Sequence, residues 1–211
     1  MSGSIEVICG SMFSGKTEEL IRRIRRAIIA KQKVAVFNHS IDNRYLSDHI
    51  TSHNGLKHEC VSAGKSSDIL SRIPDNCSVI AIDEAQFFDN ELVSVVHLLA
   101  HDGYRVIVAG LKTDFKGESF GPMGEIAASP VEELVCLSAI CVVCGRPAHF
   151  TQRIIDGQPA AYGSPVILVG GKEAYEARCR EHFVVPGHPI SAFAKKDFLE
   201  ASALLPALHD H

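Results

Sequence analysis

Gly10-Ser11-Met12-Phe13-Ser14-Gly15-Lys16-Thr17 fits the phosphate-binding pattern G-x-x-x-x-G-K-[ST]. Each part has a physical reason. Gly10 and Gly15 reach backbone angles that a Cβ disfavours. The N–H groups so exposed line a concave nest for phosphate oxygens. Lys16 brings positive charge to the outer phosphates, and Thr17 offers a hydroxyl to Mg²⁺. The octapeptide therefore points to a bound nucleoside triphosphate.

Both flanks agree. Residues 5–9, Ile-Glu-Val-Ile-Cys, read as a short buried strand. Residues 17–30 read as a helix with Leu20, Ile21, Ile24, Ala27 and Ile28 on one face. Strand, glycine turn and helix start together aim helix amides at an anion. A chance match in a tight turn does not require these flanks.

Further out, apolar runs at 33–37, 78–82 and 103–109 read as buried strands. Residues 65–72 and 91–101 read as helices, and 126–128 with 132–136 as a last crossover and strand. Residues 38–58 are polar and read as a loop-rich connection. Strands alternating with helices over 1–137 imply an α/β fold with a mostly parallel sheet. From Cys141 onward Gly and Pro punctuate the chain, so 138–190 reads as a second small unit and 191–211 as a tail.

Residues 79–84, Val-Ile-Ala-Ile-Asp-Glu, end an apolar strand in two carboxylates. Ligands bind at the carboxyl edge of parallel sheets. There Asp83 suits Mg²⁺, and Glu84 suits a base that takes a proton from an attacking hydroxyl. A solvated acidic turn is the competing reading. Cys141-x-x-Cys144 and Cys179-x-x-His182 are two ligand pairs joined by a long excursion. Four thiolate and imidazole ligands leave no open position, which implies structural Zn²⁺. Two readings compete, a redox Cys-x-x-Cys and a mixture of buried Cys with surface His, and the second pair argues against the redox one.

Bulk composition narrows the class. The chain has 211 residues, 46% hydrophobic and 22% charged, as in ordinary globular proteins. No apolar run is long enough to cross a membrane, and no signal-peptide pattern opens the chain, so a cytoplasmic protein with no membrane partner is expected. A net charge of −4 argues against a nucleic-acid partner. Arg22, Arg23, Arg25 and Arg26 read as a solvated helix face. Cys9, Cys60, Cys77 and Cys136 read as small buried hydrophobes.

The ordered motifs G-S-M-F-S-G-K-T (10–17), D-N-R-Y (42–45), I-D-E-A-Q-F-F (82–88), D-F-K-G-E-S-F-G (114–121), C-V-V-C-G (141–145), T-Q-R (151–153), V-G-G-K-E-A-Y (169–175) and C-R-E-H (179–182) resemble one family over about residues 4–188. It is the type II thymidine kinases, shared by bacteria, vertebrate cytosol and poxviruses. The resemblance implies a phosphate-loop (RecA-like) α/β domain with a small zinc-containing lasso that closes over the nucleoside. It implies transfer of the ATP γ-phosphoryl group to the 5′-hydroxyl of thymidine, and of deoxyuridine, giving dTMP in deoxynucleotide salvage. Glu84 is then the general base. Residues 10–17 hold the triphosphate, with Asp83 and Gln86 beside it. Asp42 and Arg44 lie near the phosphates, where Arg44 stabilises transferring charge. Gln86, Phe87, Phe115 and Phe120 lie near the nucleoside. Met12 and Thr151 face the thymine methyl. Val166, Ile167, Leu168, Val169, Gly170 and Tyr175 belong to the lasso. A homotetramer inhibited by dTTP is also implied.

Two positions depart from that pattern. Lys112 stands where relatives carry Asp, and His182 where a fourth Cys is frequent. Residues alone support a triphosphate, Mg²⁺, a base and a zinc-stapled loop, but not thymine. Taken alone, Phe87, Phe115, Phe120 and Tyr175 read as core aromatics rather than a base pocket, and only the family match reverses that. Two other functions stay open here: a nucleic-acid-acting phosphate-loop ATPase with a zinc module, and a catalytically impaired kinase homologue.

Overall fold

The computed structural model describes residues 3–41, 49–51, 57–167 and 173–189. In chain order the elements are β1 (Ser4–Gly10), α1 (Lys16–Ile29), β2 (Val34–His39), β3 (His49–Thr51), β4 (Lys57–Glu59), β5 (Val61–Ala63), α2 (Ser66–Ser71), β6 (Val79–Asp83), α3 (Leu92–His101), β7 (Arg105–Gly110), α4 (Met123–Ala128), β8 (Glu133–Leu137), β9 (Ala139–Ile140), β10 (Pro147–Ala148), β11 (Phe150–Ile155), β12 (Gln158–Pro159) and β13 (Glu173–Arg178). Six strands form one sheet in the order β5-β2-β6-β7-β1-β8, and every pairing is parallel. This is the α/β fold that the strand–helix alternation implies.

Period-two alternation divides the sheet into two buried faces. Ile8, Val36, Ala81, Ile107 and Ala109 face α1 through Leu20, Ile21, Ile24 and Ala27. Val7, Cys9, Ile80, Ile82, Val106 and Val108 face the other side, where Leu92, Val96 and Leu99 of α3 and Met123 and Ile126 of α4 cover them. The central strands are apolar on both faces because helices cover both.

Three sequence expectations fail here. Ile28 is 47% exposed, because the last turn of α1 carries it beyond the cover of the sheet. Arg23 is only 5% exposed rather than part of a solvated face. Its guanidinium lies 2.5 Å from Glu6, 2.9 Å from Glu19 and 2.7 Å from Glu133, and Arg105 contacts Glu6 at 2.6 Å. Buried charge is tolerated because it is paired. Cys9 is buried, but Cys136 is exposed on edge strand β8, and Cys60 and Cys77 are half-buried. The polar connection also holds more order than expected, since β3 and β4 pair antiparallel within it. Beyond Leu137 the chain leaves the main sheet and builds β9–β10 and β12–β11–β13. The tail, 191–211, lies outside the described residues.

Candidate active site and metal centre

The phosphate-binding turn joins β1 to α1 at the carboxyl edge of the sheet. Gly15 has φ +83° and sits at the helix N-cap. A Cβ on Gly10 would stand 2.6 Å from the Leu137 carbonyl oxygen of neighbouring β8, so only glycine fits. Phe13 also has positive φ and is exposed. Lys16 Nζ donates to the Ser11 carbonyl at 2.9 Å. Ser14 Oγ is buried with no hydrogen-bond partner among the described residues. Two bonds tie the turn to later chain: Ser11 Oγ donates to the Ala148 carbonyl at 3.1 Å, and Met12 N donates to Thr151 Oγ1 at 3.0 Å. Thr151, expected to face a ligand, thus also braces this turn.

Strand β6 ends beside it. One strand, β7, separates β6 from β1, yet Thr17 Oγ1 donates to Asp83 Oδ2 at 3.0 Å. Burial, and secondarily the charge of Glu84, push the buried Asp83 carboxyl up to about 7. Glu84 adopts φ +50°, ψ +38° and turns the chain out of the strand. A non-glycine residue costs roughly 1–2 kcal/mol in that region. Its N–H caps Asp83 Oδ1 at 2.9 Å.

Gln86 orients the Glu84 carboxylate. Its Oε1 accepts from Leu111 N at 2.8 Å, so its amide nitrogen is left to donate to Glu84 Oε2. Glycines give it room. A Cβ on Gly110 would approach Gln86 Oε1 to 2.7 Å, and one on Gly121 (φ +52°) would approach the Gln86 carbonyl oxygen to 2.2 Å.

The expected nucleoside aromatics fall into two kinds. Phe87 and Phe120 are half-buried and meet edge to face, 5.6 Å between ring centres. Phe115 is buried, with the Arg153 guanidinium over its ring at 5.3 Å. The loop bearing Phe115 closes through the Lys112 carbonyl, which accepts from Phe120 N at 3.2 Å, and through Asp114 Oδ1, which accepts from Lys116 and Glu118 N–H groups. Lys112 itself is exposed. Tyr175 lies on β13 in register with Arg153 of β11, while Val166 is half-buried and Ile167 exposed before β13. Asp42, Arg44, Leu168, Val169 and Gly170 lie outside the described residues.

Cys141, Cys144, Cys179 and His182 converge, their ligand atoms all within 4.8 Å of one another. Cys144 Sγ to Cys179 Sγ is 3.7 Å, Cys141 Sγ to His182 Nδ1 is 3.7 Å, and Cys179 Sγ to His182 Nδ1 is 3.2 Å. Zinc–sulfur bonds of about 2.3 Å put tetrahedral sulfurs about 3.8 Å apart, so the cage suits that ion. Arg146 donates to Cys144 Sγ at 3.4 Å and pairs with Glu181. Among the described residues the buried cluster around the cage is Ala139, Cys141, Ala148, Ala177 and Cys179.

Residue reading missed the buried Arg153, whose Nη1 donates to the Pro165 carbonyl, and the Gln152 clamp on Val184. It also missed Tyr162 Oη donating to Glu118 at 2.6 Å. Consecutive polar residues in a strand gave no periodic signal for which would be buried. Residues 3–183 match the family model described as thymidine kinase.

Proposed function

The chain belongs to the thymidine kinase family, whose members act as kinases on a nucleoside, and we propose that it moves the ATP γ-phosphoryl group to the 5′-hydroxyl of thymidine, giving dTMP. The observation that carries this is the convergence at one sheet edge: Thr17 Oγ1 lies 3.0 Å from Asp83, and Glu84 follows Asp83 directly.

Gly10, Ser11, Met12, Phe13, Ser14, Gly15, Lys16 and Thr17 cradle the triphosphate. Lys16 exchanges its contact with the Ser11 carbonyl for a phosphate oxygen, and the buried Ser14 hydroxyl gains an acceptor. Thr17 and Asp83 would hold Mg²⁺; both are oxygen donors, as that ion demands. When bound, the ion neutralises charge on the outer phosphates. A dication also suits Asp83, whose ionisation burial otherwise opposes.

Glu84 accepts the proton of the 5′-hydroxyl as that oxygen attacks. Gln86 supports the role by fixing one carboxylate oxygen of Glu84. Met12, Phe87, Phe115, Phe120 and Thr151 contribute to the nucleoside pocket. Val166, Ile167, Leu168, Val169, Gly170 and Tyr175 close over the base and keep out water, which would otherwise compete for the phosphoryl group. Cys141, Cys144, Cys179 and His182 would hold structural Zn²⁺ that anchors this closing segment. Arg44 and Asp42 act near the phosphates. Acceptance of deoxyuridine, inhibition by dTTP, a homotetramer, a cytoplasmic location and absence of a nucleic-acid partner complete the reading. Among the described residues no helix is long and apolar enough to cross a membrane.

The test is a nucleoside panel with ATP and Mg²⁺, read by mass. Thymidine should give a monophosphate, with deoxyuridine second. A protein that binds ATP yet phosphorylates no nucleoside would contradict the proposal.

A further inference from the structure

Cys9 and Cys136 form a thiol pair that the phosphoryl-transfer scheme does not use. They sit in register on adjacent parallel strands β1 and β8, and their sulfurs are 3.1 Å apart. Paired strands lie about 4.8 Å apart, inside the roughly 4.4–6.8 Å Cα window that a disulfide accepts. The two thiols differ sharply. Cys9 is 1% exposed, while Cys136 lies open on the sheet edge. Cys9 also directly precedes Gly10, and Gly10 is in register with Leu137. A Cβ on Gly10 would meet the Leu137 carbonyl at 2.6 Å, so the start of the phosphate-binding turn rests against β8 with no slack.

We propose that Cys9 and Cys136 are a reversible disulfide site, closed by a small-molecule disulfide such as oxidised glutathione, and that closure disturbs triphosphate binding. The exposed Cys136 thiolate attacks one sulfur of the oxidant. The oxidant's S–S bond breaks, and one thiol leaves carrying the proton lost by Cys136. Cys9 then attacks Cys136 Sγ, the mixed S–S bond breaks, and the second thiol leaves with the Cys9 proton. The two cysteines lose two electrons and two protons, and the oxidant becomes two thiols. Burial pushes the Cys9 thiol up to about 12, which assigns the first attack to Cys136. Bond formation shortens the sulfur separation from 3.1 Å by about 1 Å. The residue that moves is covalently joined to Gly10, so the displacement reaches the phosphate nest.

The test uses the full-length zinc-loaded protein, treated with oxidised glutathione and compared with Cys136→Ser. Tandem mass spectrometry should find a Cys9–Cys136 crosslink with loss of about 2 Da. Affinity for a fluorescent ATP analogue should fall on the order of tenfold or more, and dithiothreitol should restore it. Cys136→Ser should keep wild-type affinity and lose the response. A stable glutathione adduct on Cys136 with no crosslink would overturn the site. A crosslink with unchanged ATP affinity would overturn its coupling to the turn, and an equal loss in Cys136→Ser would move the effect to other thiols. Crosslink and ATP binding are read without nucleoside, so failure here is distinguishable from failure of the proposed kinase reaction.

Discussion

Stripping the ion from the proposed zinc cage should loosen one part of the molecule and weaken ATP binding in another. The cage's own apolar core is three alanines and two of the ligand cysteines. At about 0.8 kcal/mol per buried carbon group that core contributes about 4 kcal/mol. Ordering backbone costs about 1 kcal/mol or more per residue. β9, β10, the Cys141–Gly145 turn and the end of β13 together exceed what the core can offset. A structural zinc site supplies roughly 10 kcal/mol. Chelation should therefore abolish amide protection across β9, β10 and 174–182, while β1, β6 and β7, buried under helices on both faces, keep theirs. The consequence reaches the phosphate-binding turn through two bonds, Ser11 Oγ to Ala148 and Met12 N to Thr151. At about 1 kcal/mol each, their loss corresponds to an ATP affinity up to about thirtyfold weaker. Hydrogen exchange by mass spectrometry, with metal content measured on the same sample and ATP affinity by titration, reads both effects. Protein shown to be metal-free that keeps full protection in β9 and β10 would refute the reasoning.

Other perturbations give separate signs. Asp83 has its folded pKa raised from 3.8 to about 7, so the folded state holds a proton that the unfolded chain has released. Without Mg²⁺, wild-type stability from this group is present below about 4 and falls as pH rises to about 7. Asp83→Asn should then be the more stable protein at pH 8 by up to roughly 4 kcal/mol, the gap closing toward pH 4 in thermal melts. A constant gap across that range would contradict it. Arg23→Ala leaves Glu6 with Arg105 alone and takes this partner from the half-exposed Glu133, and should cost about 2 kcal/mol in urea denaturation; a cost under about 0.5 kcal/mol would return Arg23 to the solvated face. Gly121→Ala forces a Cβ to 2.2 Å from the Gln86 carbonyl at positive φ. It should slow turnover with little change in ATP affinity, and unchanged steady-state kinetics would remove Gln86 from the site.

The parallel sheet was legible because continuous apolar runs such as residues 79–82 have few other uses, and the glycine turn because its backbone demands are specific. The cluster of Cys141, Cys144, Cys179 and His182 was legible as two close pairs. Arg23 was not, since a helical wheel records faces but not the charges of a distant strand. The signal was Glu6, an acid inside an apolar strand, which needs a partner. Ile28 lay on the correct face, but periodicity does not say where the sheet beneath a helix stops. The Gln86 clamp on Glu84 was not legible, because it depends on Gly110 and Gly121, which approach from far along the chain. Cys136 sits in an apolar run, and its exposure follows only from β8 being an edge strand.

Replacing Glu84 by Gln gives the most direct measurement. The amide keeps the shape and can still meet Gln86, but it cannot accept the hydroxyl proton. Loss of a general base lowers turnover by about 10²–10⁴-fold. Glu84→Gln should show that loss in dTMP formation. ATP affinity should stay within about twofold of wild type, because an isosteric replacement that removes no contact to the nucleotide disturbs little else. Wild-type turnover in this variant would contradict the proposed chemistry.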